Sequence, residues 1–193
     1  MAESAIFLII ALILIVPILY VFNITWIDPR LILALIIIAI LPGLYAALSS
    51  GPFVPSSRRR HKKMLELADL KSDDIVYDLG CGDGRLVFHS APHVKKAIGY
   101  ELSIPLYLFG KLKSLFKSPK SEIRFGNIWK QNYQNADVIF IYLLPGSMKK
   151  FYKKIWPTLT PGTRVISNAF QIHDLKPIQK DDKVYLYEKI STN

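Results

Sequence analysis

Cysteine is almost absent from this chain of 193 residues: Cys81 is the only one. A lone thiol excludes an intrachain disulfide, and no grouping with the four histidines (61, 89, 93 and 173) has zinc spacing. Charge is nearly missing from the first fifty residues, which hold only Glu3, Asp28 and Arg30. The whole chain carries 25 Lys+Arg and 15 Asp+Glu; removing that one basic and those two acidic residues leaves 24 against 13, a net of +11 beyond residue 50. Internal repeats are lacking too, which excludes a solenoid or array. These absences divide the chain into a nearly neutral apolar segment, 1–50, and a basic one, 51–193, of a size usual for one domain.

The apolar segment contains two uncharged runs, AIFLIIALILIVPILYVF (5–22) and LILALIIIAILPGLYAAL (31–48). As helices each would extend roughly 27 Å, enough for the hydrocarbon core of a bilayer. Pro17 and the Pro42-Gly43 pair are tolerated in membrane spans, and the short link NITWIDPR predicts an antiparallel hairpin. A secretory signal peptide would need a basic start and a cleavage site, and the first run has neither. RRRHKK (58–63) follows the second run, so the positive-inside rule places the basic domain in the cytoplasm, tied to a lipid bilayer. Its position beside the spans favours contact with anionic head groups over nucleic acid. The linker SSGPFVPSS (49–57) reaches at most ~30 Å, which holds the domain close to the membrane.

Beyond the linker, Ser56 or Ser57 caps a helix expected over roughly 58–69, with Met64, Leu65, Leu67 and Ala68 inward. Strands are expected at 75–80, 95–102, 122–127, 136–144, 163–170 and 184–190. Helices are expected from 84, over 104–117 and over 147–159. Apolar strands alternating with helices predict an α/β fold: a Rossmann-like parallel sheet with helices on both faces.

Ligands of such sheets bind at the C-terminal ends of the strands. There the first strand runs into VYDLGCGDGRL (76–86), with Gly80, Gly82 and Gly84 at alternate positions. Without Cβ atoms the backbone can approach a ligand closely and take positive φ. The spacing is G-x-G-x-G, not the G-x-G-x-x-G of dinucleotide sites, and Asp78 precedes it, which suits a positively charged cofactor. Glu101 ends the second strand, placed for ribose hydroxyls; Asn127, with Ile128 and Trp129 beside it, ends the third and suits an adenine. Each has a plainer reading as well: a loop partner, a surface acid, a turn residue. Cys81 reads as a small side chain packed under the turn, and the histidines as surface or helix residues.

VYDLGCGDGRL, GYEL and the element order resemble the seven-strand, S-adenosylmethionine-dependent methyltransferases. More narrowly, PFVPS, MLELA, DDIVYDLGCGDGR, VKKAIGYEL and PGTRVIS resemble a small group of protein-lysine methyltransferases. That group includes an archaeal enzyme of broad protein specificity and the mitochondrial enzymes that modify the c-ring protein of ATP synthase and the adenine nucleotide translocase. The resemblance covers residues 52–190, most densely 52–102 and 161–187. It implies S-adenosyl-L-methionine as cofactor, held by Asp78, Gly80, Gly82, Gly84, Glu101, Asn127 and Ile128, with Phe53, Val54 and Pro55 folding over it. Asn127 stands where many relatives have aspartate. The resemblance also implies that Tyr142, in YLLP after the fourth strand, meets the acceptor. Tyr142 and Phe53 are then expected to line a lysine channel, although Tyr142 reads equally as a core aromatic.

Methyl transfer to lysine needs the neutral amine, which at pKa ~10.4 costs about 4.6 kcal/mol to reach at pH 7. Burial and a nearby sulfonium both lower that pKa, so no dedicated base is required. The expected function is therefore methylation of protein lysines, chiefly of membrane proteins, at the cytoplasmic membrane surface. A lipid or quinone-like acceptor, or a non-catalytic cofactor-binding scaffold, is the alternative.

Overall fold

The computed structural model describes residues 57–191, together with Asp28, Arg30, Leu31, Ala34 and Ile37. Apart from Leu31, Ala34 and Ile37, the two expected spans lie outside the described residues, as do Phe53, Val54 and Pro55. Among the described residues, no helix is long and apolar enough to cross a membrane.

Seven strands form one sheet in the order β3-β2-β1-β4-β5-β7-β6. They are β1 (Ile75–Leu79), β2 (Lys96–Glu101), β3 (Ser121–Phe125), β4 (Val138–Ile141), β5 (Arg164–Asn168), β6 (Gln179–Asp181) and β7 (Val184–Glu188). Within residues 57–191 the α-helices are α1 (Arg58–Ala68), α2 (Arg85–Ser90), α3 (Ile104–Ser114) and α4 (Pro145–Lys154). Ser57 caps α1, its side chain accepting from the Arg60 amide. Strands β1 to β5 pair in parallel.

The expectation of a wholly parallel sheet fails at its end. Strand β7 runs antiparallel between β5 and β6. All of Val184, Tyr185, Leu186 and Tyr187 are buried, and a strand covered on both faces looks alike in either direction. Strand β6 is three exposed polar residues, Gln179, Lys180 and Asp181, with no apolar pattern to reveal it. It joins β7 through Asp182 and Lys183, with Asp182 at φ 57 where such turns usually carry glycine.

Alternation along the strands builds two cores. On one face Tyr77, Leu79, Ile98, Tyr100, Ile139 and Ile141 pack against Met148 and Phe151 of α4. On the other Val76, Ala97, Val138, Phe140 and Ile166 pack against Met64 and Leu67 of α1 and Leu86 and Val87 of α2. Helix α3 lies in this second layer, where Tyr107 meets the core. At the N-terminal ends of the strands, Arg164 donates to both carboxylate oxygens of Asp74 at 2.7 Å and to the carbonyls of Ala68 and Asp69. The C-terminus of α1 is thereby fastened to β5.

Candidate active site

Register aligns the site. Leu79 pairs with Tyr100 and Ile141, and Ile141 with Ser167. One residue further along each strand come Gly80, Glu101, Tyr142 and Asn168, so the expected residues of strands one, two and four share the C-terminal edge of the sheet.

The glycine turn is stitched to the end of β2. The amides of Gly80 and Cys81 both donate to the Tyr100 carbonyl at 3.0 Å. The Gly82 amide donates to Glu101 Oε2 at 2.8 Å, while Glu101 Oε1 accepts from the amides of Leu102 and Ser103. Gly80, Gly82 and Gly84 all have positive φ. A Cβ at Gly80 would meet nothing within 4 Å, so this part of the turn opens onto free space; one at Gly84 would lie 2.8 Å from Phe88. Cys81 is buried, and a Cβ at Gly99 would come 2.6 Å from its sulfur. Burial pushes its thiol pKa well up, in keeping with a packing role.

Asp78 is 6% exposed. Burial, then the neighbouring charges of Glu101 and Asp83, push its pKa up to about 8; among the described residues no basic group offsets them. Five residues along the same turn, Asp83 meets the opposite surroundings. Burial pushes it up, but hydrogen bonds from Arg85 (2.8 Å) and Lys113 (3.3 Å) outweigh that and hold it below the usual carboxylate range. The pair Asp78 and Glu101 is thus a buried acidic site with open glycine backbone beside it. Such a site fits a cofactor carrying positive charge and ribose hydroxyls, as S-adenosylmethionine does.

Asn127 caps a short 3-10 turn, Ile128–Lys130, its Oδ1 accepting from the Trp129 amide at 2.9 Å. Ile128 is buried beside Tyr100 and Tyr133, and the Tyr133 hydroxyl donates to its carbonyl at 2.9 Å. The stacked Tyr77 and Tyr100 rings, with Tyr133 edge-on to both, support this segment from below. Tyr142 is half-buried just beyond β4, at the sheet edge.

Two features escaped the reading of the sequence. Asn168 is buried at the end of β5, followed by Ala169 at φ 68, a region that non-glycine residues enter at a cost, and by half-buried Phe170. The rule that sites sit at strand C-terminal ends would have found them had it been applied to β5. The second is the burial of His61: it is a helix residue, as expected, but it lies edge-on to His89 inside the fold, and burial followed by the charges of His89 and Arg85 lowers its pKa to about 4. It packs α1 against α2, within reach of the charges of Arg85 and Asp83.

Comparison with known proteins agrees with this geometry. Residues 78–179, more than half of the chain, match the ANTKMT methyltransferase domain. A protein-lysine N-methyltransferase of Saccharolobus islandicus (strain REY15A) is 34% identical over 148 residues, covering 70% of this chain and 92% of that protein. A lysine N-methyltransferase of Xenopus laevis, named for the c-ring protein of ATP synthase, is 28% identical over 128 residues, 65% of this chain; the match spans only 56% of that protein's length. Among solved structures, an RNA methyltransferase of Salinibacter ruber in complex with S-adenosyl-L-homocysteine superposes with a TM-score of 0.68 at 30% identity, covering 72% of this chain and 96% of that one. With its acidic, glycine-lined edge and a match that begins on Asp78, the chain belongs to the ANTKMT methyltransferase domain family, and it is an S-adenosylmethionine-dependent methyltransferase.

Proposed function

We propose that this enzyme methylates lysine side chains of proteins at the cytoplasmic surface of a membrane, to which residues 5–22 and 31–48 anchor it. The observation that carries the chemistry is the buried Asp78–Glu101 pair beside open glycine backbone, with half-buried Tyr142 just past the end of the adjacent strand β4. When bound, S-adenosylmethionine supplies a sulfonium methyl group, open to in-line attack by a neutral amine. Asp78 would hold its positive charge, Glu101 its ribose and Asn127 its adenine. Tyr142, Asn168 and Phe170 line the acceptor side and orient the amine, with Phe53 covering it. Positioning of this kind supplies roughly 7–11 kcal/mol of the barrier reduction. The lysine acceptor is supported by the names of the relatives from Saccharolobus islandicus and Xenopus laevis. The anchor is supported by the uncharged length of the two runs and the basic flank after them.

A second reading, an RNA acceptor, is favoured by the name of the Salinibacter ruber protein and by the lysines of α4: Lys149, Lys150, Lys153 and Lys154. One experiment separates the readings. Full-length protein in membranes of its own host receives S-adenosylmethionine with a radiolabelled methyl group, and protein, lipid and RNA fractions are counted separately. Label in a protein band, absent with Asp78→Ala and mapped to lysine, is the expected result. Label only in RNA or only in lipid replaces the lysine reading, and cofactor binding without label in any fraction reduces the protein to a scaffold.

A further inference from the structure

Helix α3 is built inside out. A helix on a globular domain turns its apolar stripe to the core. Here the residue turned most deeply inward is Gly110; a Cβ there would lie 3.5 Å from Ile123 and 3.6 Å from the Gly82 carbonyl. The large apolar side chains point out: Leu108 is 58% exposed, Phe109 52%, Leu112 59%, Leu115 71% and Phe116 81%. Leu108, Phe109 and Leu112 share one face of the helix, and Leu115 and Phe116, in the turn that follows Ser114, continue the same spacing. Phe125, exposed at the end of the edge strand β3 and 5.6 Å from the Tyr107 ring, extends the patch. A contiguous apolar surface of this kind on a folded domain marks an interaction site.

We propose that this face rests in the interface of an anionic bilayer, forming a second membrane contact beside the N-terminal anchor; the proposal builds on the membrane reading above. Charge argues for that occupant. The segment 104–120 carries Lys111, Lys113, Lys117 and Lys120 and not one acidic residue. Lys113 is engaged with Asp83 and the Phe109 ring, so Lys111, one residue before Leu112, and Lys117, one after Phe116, are the cations that border the stripe. Lysines so placed lay their stems along an apolar surface and reach outward to phosphate. A second copy of the chain is a poorer partner, because a two-fold contact would set these lysines against their own counterparts. Chain connection argues the same way. Helix α1, entered directly from the linker 49–57, and α3 occupy the same layer of the sheet. The linker's reach of ~30 Å keeps that layer near the bilayer. Because Glu101 leads through Ser103 straight into α3, the docked face sets the cofactor site at the membrane surface, within range of lysines just outside it.

The sole cysteine is buried, so single cysteines placed by Leu112→Cys, Phe116→Cys and, at the opposite edge of the sheet, Ile178→Cys can carry an environment-sensitive fluorophore. Full-length protein is reconstituted in phosphatidylcholine vesicles with and without phosphatidylglycerol, some of the lipid bearing a nitroxide quencher. Labels at 112 and 116 are expected to brighten severalfold and to be quenched in anionic vesicles, while the label at 178 stays aqueous. Lys111→Glu with Lys117→Glu should abolish the change. An aqueous label at 112 on protein that resists carbonate extraction overturns this inference and leaves the anchor standing. Carbonate extraction of the protein, with the label at 112 still quenched beforehand, overturns the anchor and upholds the docked face. Equal quenching in neutral vesicles, or brightening in detergent that rises with protein concentration, overturns the choice of an anionic bilayer.

Discussion

The two ends of the parallel strands treat buried charge in opposite ways. At the N-terminal ends Asp74, with its side chain 6% exposed, is gripped by one arm of the Arg164 guanidinium, whose other arm holds α1. At the C-terminal ends Asp78 and Glu101 lie together, with no basic group among the described residues to offset them. A charge buried with its partner holds a fold together only while both are present, whereas a charge buried without one stores a disadvantage that a ligand can relieve. The first end is organised for attachment, the second for binding.

The largest effect expected from breaking this contrast is at the paired end. Arg164→Ala should lower the unfolding free energy by about 3–5 kcal/mol in urea titrations, since it strands Asp74 and two carbonyls. At the unpaired end the outcome should reverse. Asp78→Asn is expected to weaken cofactor binding by about 1.5–3 kcal/mol, the range of a hydrogen bond to a charged group, while raising the stability of the cofactor-free protein. The sign follows from the raised pKa. The fold holds a proton on Asp78 that the unfolded chain has released, so stability is highest below the ordinary value of 3.8 and falls as pH rises towards about 8. The melting temperature of the variant should therefore exceed that of the wild type most clearly near pH 8.

A finer probe is Glu101→Gln. Removing one of the two acids should shift the titration of Asp78 downward, while the Gly82 amide, left facing an amide group or without an acceptor, costs about 1–2 kcal/mol in thermal unfolding. At the small end stands Lys62, paired with Glu66 on the exposed side of α1. Lys62→Ala should change stability by no more than about 0.5 kcal/mol and leave both ends untouched.

How much of this could be read from the sequence depended on whether a residue's role is local. The glycine turn declared itself, because alternate glycines after an apolar strand have few other uses, and Glu101 followed from its place at a strand end. The pairing of Asp83 with Lys113 did not, since thirty residues of chain separate them. Strand β6 left no trace: Gln179, Lys180 and Asp181 have neither apolar alternation nor a glycine turn to mark them. Helix α3 is the most instructive case. Its periodicity announced a helix over 104–117, but periodicity gives a stripe and not the direction the stripe turns. The exposure of Leu108, Phe109 and Leu112, with buried Gly110 on the inner side, shows that the apolar side faces out.

The measurement that tests the account most directly is the pH dependence of cofactor affinity. S-adenosylmethionine would be titrated calorimetrically into full-length wild type and Asp78→Asn between about pH 6 and 7.5, where its α-amine, near pKa 7.7–8.0, is largely protonated. If Asp78 is protonated in the free enzyme and gives up that proton to meet the cofactor's positive charge, affinity rises roughly tenfold per pH unit across this window and a proton is released on binding. In Asp78→Asn the slope and the proton release should both vanish. A wild-type affinity that is flat across the same window, with no proton released, would contradict the claim that the unpaired acid at the strand ends is the cofactor's partner.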